Sequence, residues 1–94
     1  MPRPKKLKNV TAPLVSVQVD FGRGEVYNGG GASVLDAILT LKLPSKVVRS
    51  ALLTITKGEK KFVKHFPLIL LRKIFTGKIF QVMWSNKIEY LFKN

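Results

Sequence analysis

Side-chain catalysis needs titratable groups that can converge, and this sequence offers few. Its one histidine, His65, lies between Lys64 and Phe66, with no cysteine anywhere in the chain for it to activate. The nearest acid in sequence is Glu59, and the acids Asp20, Glu25, Asp36, Glu59 and Glu89 are scattered singly. Asp20 and Glu25 flank a turn that also holds Arg23, so a surface ion pair is expected there rather than an acid/base couple. No spacing of His, Asp or Glu matches a zinc site or a calcium loop. We therefore expect a binding module and not an enzyme, with neither metal nor cofactor, and with His65 structural or merely exposed.

Gly29-Gly30-Gly31 is followed by Ala32-Ser33, with no lysine until Lys42. This departs from a phosphate loop, where glycines run into Gly-Lys-Ser/Thr at a helix start. If 33–43 is helical, the Ser33 hydroxyl and nearby amides could still hold an anion. A plain flexible turn explains the glycines more simply.

The basic residues are the remaining chemical asset. Seventeen Lys and Arg against five Asp and Glu give a formal charge of +12, and the 53 residues from Lys42 onward carry +10 of it. Such a balance suits a nucleic-acid backbone, an anionic membrane face or acidic protein tails. Aromatic residues interleave with the positive ones: Phe62, Phe66, Phe75, Phe80, Trp84, Tyr90 and Phe92. Single-strand binders use that combination, charge tracking phosphates while rings stack on bases. The same rings are also what the core of a small domain needs, and scattered lysines keep a protein soluble. The candidate contacts to an anionic partner are Lys5, Lys6, Lys8, Lys60, Lys61, Lys64, Arg72 and Lys73, with Trp84 as a stacking ring. No signature of the common RNA-binding modules is present.

The absence of cysteine excludes disulfides and thiolate metal sites and fits a reducing, intracellular and cytoplasmic setting. The Pro4-Lys5-Lys6-Leu7-Lys8 stretch could serve nuclear import or nucleic-acid contact. The segment after it is broken by Ser16, Gln18 and Asp20, unlike the apolar region of a signal peptide. The longest uncharged apolar run, residues 66–71, falls far short of the ~20 residues that span a bilayer. The chain is thus not expected to be transmembrane.

These residues must be positioned by one small domain, residues 13–94, preceded by a basic flexible tail over 1–12. With 46% apolar residues a core is expected. Val15, Val17, Val19 and Phe21 alternate with Ser16, Gln18 and Asp20, which predicts a strand with one wet face. Gly22-Arg23-Gly24-Glu25 breaks it, Val26-Tyr27 starts another strand, and the glycine triplet turns the chain. Over 33–57 two assignments stand. As strands, Leu35, Ala37, Leu39, Leu41 and Leu43 alternate, Pro44-Ser45-Lys46 turns, and Val47, Ala51, Leu53 and Ile55 line the next strand. As helices, Ser33 is an N-cap with Asp36 at the third helical position, and Val48, Ala51, Leu52 and Ile55 share a face that ends at Gly58. The branched side chains around 47–56 favour strand. Residues 58–64 read as a basic turn region. Residues 67–75 form either a helix opened by Pro67 and closed by Gly77 or a buried strand. Residues 79–92 read as a hairpin, with Phe80, Val82 and Trp84 facing Ile88, Tyr90 and Phe92 across Ser85-Asn86-Lys87.

Residues 15–58 resemble the opening of an arrestin-type N-terminal domain. The likeness rests on Val15-x-Val17-x-Val19-Asp20, Val26-Tyr27-Asn28-Gly29-Gly30, the alternating Ala37-x-Leu39-x-Leu41-x-Leu43, Val48-Arg49, and Leu53-x-Ile55 before Gly58. It departs from the family at Gly31 and Leu35, where an acid and a glycine are usual. The resemblance implies a β-sandwich adaptor that grips cytoplasmic segments of membrane proteins by strand addition, with no catalytic residues.

The expected fold is therefore mainly β, an antiparallel sheet or partial immunoglobulin-like β-sandwich, or alternatively α+β with helices near 33–43 and 67–76. The expected function is a non-enzymatic protein-interaction module, or alternatively a basic RNA- or DNA-binding protein.

Overall fold

A computed structural model describes residues 13–44 and 49–93. The N-terminal basic segment, with Lys5, Lys6 and Lys8, lies outside the described residues. The alternating first segment forms strand β1 (Val15–Gly22), which returns as β2 (Glu25–Gly31). Gly22 pairs with Glu25, and both residues between them have positive φ, Arg23 at 57° and Gly24 at 84°. Two positive φ values define the turn whose twist matches that of a hairpin, and glycine adopts one of them without steric cost. Helix α1 (Val34–Thr40) follows, then β3 (Ala51–Lys57), β4 (Lys60–Phe66), α2 (Leu68–Thr76) and α3 (Lys78–Phe92).

The strands form one antiparallel sheet in the order β2-β1-β3-β4. The buried core joins Val15, Val17 and Val19 of β1, Ala51, Leu53 and Ile55 of β3, and Phe66 of β4 to residues from every helix. Those are Val34, Ala37 and Ile38 of α1, Leu71 and Ile74 of α2, and Ile88 and Phe92 of α3. Each large side chain taken out of water this way contributes about 1.5–3 kcal/mol. The second layer over the antiparallel sheet is helical, so the fold is α+β, and both helices of that alternative are present.

Three segments differ from the strand assignments. Residues 34–40 are helix α1 rather than part of an alternating strand: Ser33 Oγ accepts from the Asp36 amide at 3.2 Å. Val34, Ala37, Ile38 and Leu41 follow the i, i+3, i+4, i+7 spacing, which overrides the leucine alternation that leaves Leu39 exposed. Residues 79–92 are not a hairpin but lie within α3, where Trp84, Ser85, Ile88 and Phe92 share the inward side. The Ser-Asn-Lys triplet read as a turn is mid-helix. Residues 60–64, expected as a turn, belong to β4; only Gly58 and Glu59 separate it from β3. Of the two assignments for 51–57 the strand is the one present, as β3, and of the two for 67–75 it is the helix bounded by Pro67 and Gly77, not the buried strand.

The glycine triplet is not a flexible turn but the end of β2, and its reason is α1. A Cβ on Gly29 would sit 2.4 Å from the Ala37 carbonyl oxygen, too close for any side chain. The bare strand lets α1 rest directly on it. Thr40 then closes the edge, its Oγ1 accepting from the Gly30 amide at 2.8 Å. Replacing Gly29 with alanine should cost about 1–3 kcal/mol, as overpacking does. Urea denaturation of the G29A protein measures this.

Glu89, on α3, ties the layers together. One carboxylate oxygen accepts from the Val34 amide at 2.6 Å, at the part-buried start of α1, and the other pairs with Lys57 Nζ of β3 at 3.0 Å. Burial alone raises the pKa of this carboxyl, but the Val34 hydrogen bond and Lys57 together outweigh it and hold the group below its ordinary 4.5. A carboxylate depressed in the folded state stabilises fully above its unfolded pKa and loses that stabilisation as pH falls through the folded one. Stability should therefore decline as pH drops below 4.5. Thermal melts across pH should show Glu89→Gln less sensitive in that window and about 1 kcal/mol less stable at neutral pH.

Candidate functional site

All three helices contribute to the core on one side of the sheet, and the other side carries the alternate, outward side chains. Strand register arranges these in three rows across the sheet. The first runs Gly30, Ser16, Thr56, Lys61; the second Asn28, Gln18, Thr54, Val63; the third Val26, Asp20, Leu52, His65. Strand spacing and rise per residue set the dimensions of this face: about 14 Å across four strands and about 14 Å along the strands, from the first row to the third. Ser16, Gln18, Asn28, Lys61 and His65 are exposed, and Thr54 and Thr56 partly so. No Phe, Tyr or Trp stands in these rows; their one ring is the exposed His65 imidazole.

Can the face do chemistry? Asp20 and His65 lie in one row with Leu52 between them, so two strand spacings, about 10 Å, separate their backbones. Asp20 Oδ1 accepts from the Gly22 amide at 2.8 Å, within its own turn. The depression beside them, about 290 Å³, is open to solvent and also bordered by Arg49. Arg49 pairs with Glu25 at 2.9 Å, both well exposed. Neither an oriented base nor a dry pocket is assembled there. Among the described residues no three His, Cys, Asp or Glu side chains group to hold a metal.

The sheet edges differ. The β2 edge meets Thr40 of α1, whereas β4 ends the sheet on the other side with Lys60, Lys61 and Lys64 exposed. Of these three expected contacts, Lys61 lies on the uncovered face, while Lys60 and Lys64 alternate toward the helical side at the rim. Lys60 is committed: its Nζ donates to the Phe92 carbonyl at 2.7 Å, at the end of α3. Arg72 and Lys73 are exposed on α2, in the helical layer rather than on the sheet face. Trp84 is half-buried, its ring edge-on to Phe66 with centroids 5.7 Å apart, so it packs the core and is not an open stacking platform.

The residues that sequence reasoning passed over are Asn28, Thr54 and Thr56, which complete the rows begun by Ser16 and Gln18. The alternation of β1 signalled a wet face; only the sheet order places its neighbours.

The described residues thus define a two-layer α+β domain whose second sheet face carries no helix, with Pro13 lying beside Gly30 at one corner. No protein-family model, curated protein or solved structure matches the chain. Among the described residues no helix is long and apolar enough to cross a membrane.

The two roles of the β4 lysines separate experimentally. Lys60→Ala should lower stability by about 0.5–1.5 kcal/mol through its lost hydrogen bond, while Lys61→Ala should stay within about 0.5 kcal/mol of the parent. Paired urea titrations compare them.

Proposed function

We propose that this protein binds nucleic acid, duplex in preference to single strand, across the uncovered sheet face and its basic β4 rim. The observation that supports this best is the three-row face itself. Its exposed side chains carry hydrogen-bonding groups at most positions, and it adjoins the lysines of an edge strand in a chain of charge +12. Gln18 and Asn28 are cross-strand neighbours, and amide side chains of this type can pair with an adenine edge. Lys61 and Lys64 are the phosphate contacts.

The preference for duplex follows from the scarcity of rings on the face, where only the His65 imidazole stands. Single-strand binding draws on stacking, worth about 1–3 kcal/mol per base. Here Phe66 and Phe92 are buried, Phe62, Phe75, Phe80 and Trp84 pack against the core, and Tyr90 stands out on α3. Strands that present polar side chains to a groove do not need them.

A second reading has its own support. β4 is a lysine-bearing edge strand, and strand addition by an acidic extended segment of another protein would use that edge. This is the adaptor role implied by the arrestin resemblance, including cytoplasmic segments of membrane proteins as partners. It engages the backbone of β4 and not the face of β1 and β2.

Fluorescence anisotropy with a labelled duplex and the corresponding single strand tests the proposal. The duplex should bind more tightly, with affinity falling by about one logarithmic unit per unit of log salt for each phosphate neutralised. The Lys61→Ala/Lys64→Ala protein should show a slope shallower by about two units. Gln18→Ala/Asn28→Ala should weaken duplex binding and leave strand addition untouched. Absence of nucleic-acid binding at low salt would refute it.

A further inference from the structure

Helix α3 is apolar on two sides, and only one of them faces the core. Its inner side holds Ser85, Ile88 and Phe92. Opposite them, Ile79 is 77% exposed, Met83 64% and Tyr90 75%, and Val82, at the edge of that side, is 43% exposed. At about 100° per residue these four, with Asn86, fall within about 60° of one line along the helix. Lys78 and Lys87 lie just beyond that arc on either side, at about 100° and 80° from Ile79, and Glu89, turned to the Val34 amide and Lys57, lies at about 80° on the Lys78 side.

We propose that this outer face of α3 rests on an anionic lipid surface. An apolar arc bordered by lysines is the arrangement of a helix lying in a membrane interface, apolar residues entering the acyl boundary while lysine stems run up its flanks. Tyr90 suits the same boundary, with an apolar ring and a polar tip.

Charge selects the occupant. Along 68–93 the helices carry Arg72, Lys73, Lys78, Lys87 and Lys93, and the single acid, Glu89, is held by Val34 and Lys57. A second copy docked through α3 would set lysine borders against lysine borders. An anionic headgroup layer complements them. This inference is independent of the nucleic-acid proposal, because α3 lies in the helical layer and the polar rows lie on the opposite side of the sheet.

Cosedimentation of the full chain with vesicles decides it. The protein should pellet with phosphatidylglycerol/phosphatidylcholine vesicles and not with phosphatidylcholine alone. Part of that binding should survive high salt, where purely electrostatic attachment is screened. Ile79→Ser/Met83→Ser/Tyr90→Ser should weaken it by about tenfold or more, with an unchanged melting temperature and unchanged duplex affinity. Lys78→Gln/Lys87→Gln should weaken the salt-sensitive part. No binding to anionic vesicles, or equal binding by the triple variant, would overturn the proposal. So would a parent dimer that the triple variant dissolves in sedimentation equilibrium, since the ridge would then belong to a second copy.

Discussion

The two central strands have one face to bury and one to leave in water, and the rest of the molecule is arranged around that asymmetry. β1 and β3 send Val15, Val17, Val19, Ala51, Leu53 and Ile55 to the same side, where each is almost completely buried. Their other side carries Ser16, Gln18, Asp20, Leu52, Thr54 and Thr56. A helix placed there would bury hydroxyl and amide groups without partners, which costs more than its apolar contacts return. The helices therefore share one face and the polar rows stay open.

Holding three helices over one sheet requires contacts that apolar packing alone does not specify. α1 descends onto β2 because Gly29 presents no side chain beneath Ala37. Its start is then met by Glu89 from the far end of the chain, which joins α1, α3 and β3 through one carboxylate. Ser85 is the counterexample: it is buried on α3 and its hydroxyl has no partner among the described residues.

The distribution of charge follows the same division. Lys57 and Lys60 turn inward and are tied to α3, so they serve the fold, while Lys61 stands on the bare face. The helical layer presents something else, an apolar ridge between lysines. The molecule thus offers two chemically distinct surfaces on opposite sides of one sheet.

Local pattern was enough for some elements. The alternation of 15–21 made β1 legible, and so did the wet side on which Ser16, Gln18 and Asp20 stand. Ser33 and Asp36 marked the start of α1, and Pro67 and Gly77 the bounds of α2, each as one of two options. What failed were segments whose pattern served two periods. Leu35 to Leu43 alternates, yet Val34, Ala37, Ile38 and Leu41 fit a helix, and only the seat on a glycine strand selects between them. Ser85-Asn86-Lys87 looked like a turn, yet the core accepts Ser85 and continues the helix. The candidate site divides likewise. Composition showed that lysines and rings exist, but sheet order decided that Trp84 packs on Phe66 while Lys61 joins a polar row. By itself the sequence determined which residues avoid water and where strong local punctuation falls, because those are properties of neighbours along the chain. Which polar residues stand side by side, and which lysines remain available, depends on contacts between residues far apart in sequence, and the tertiary structure alone decided it.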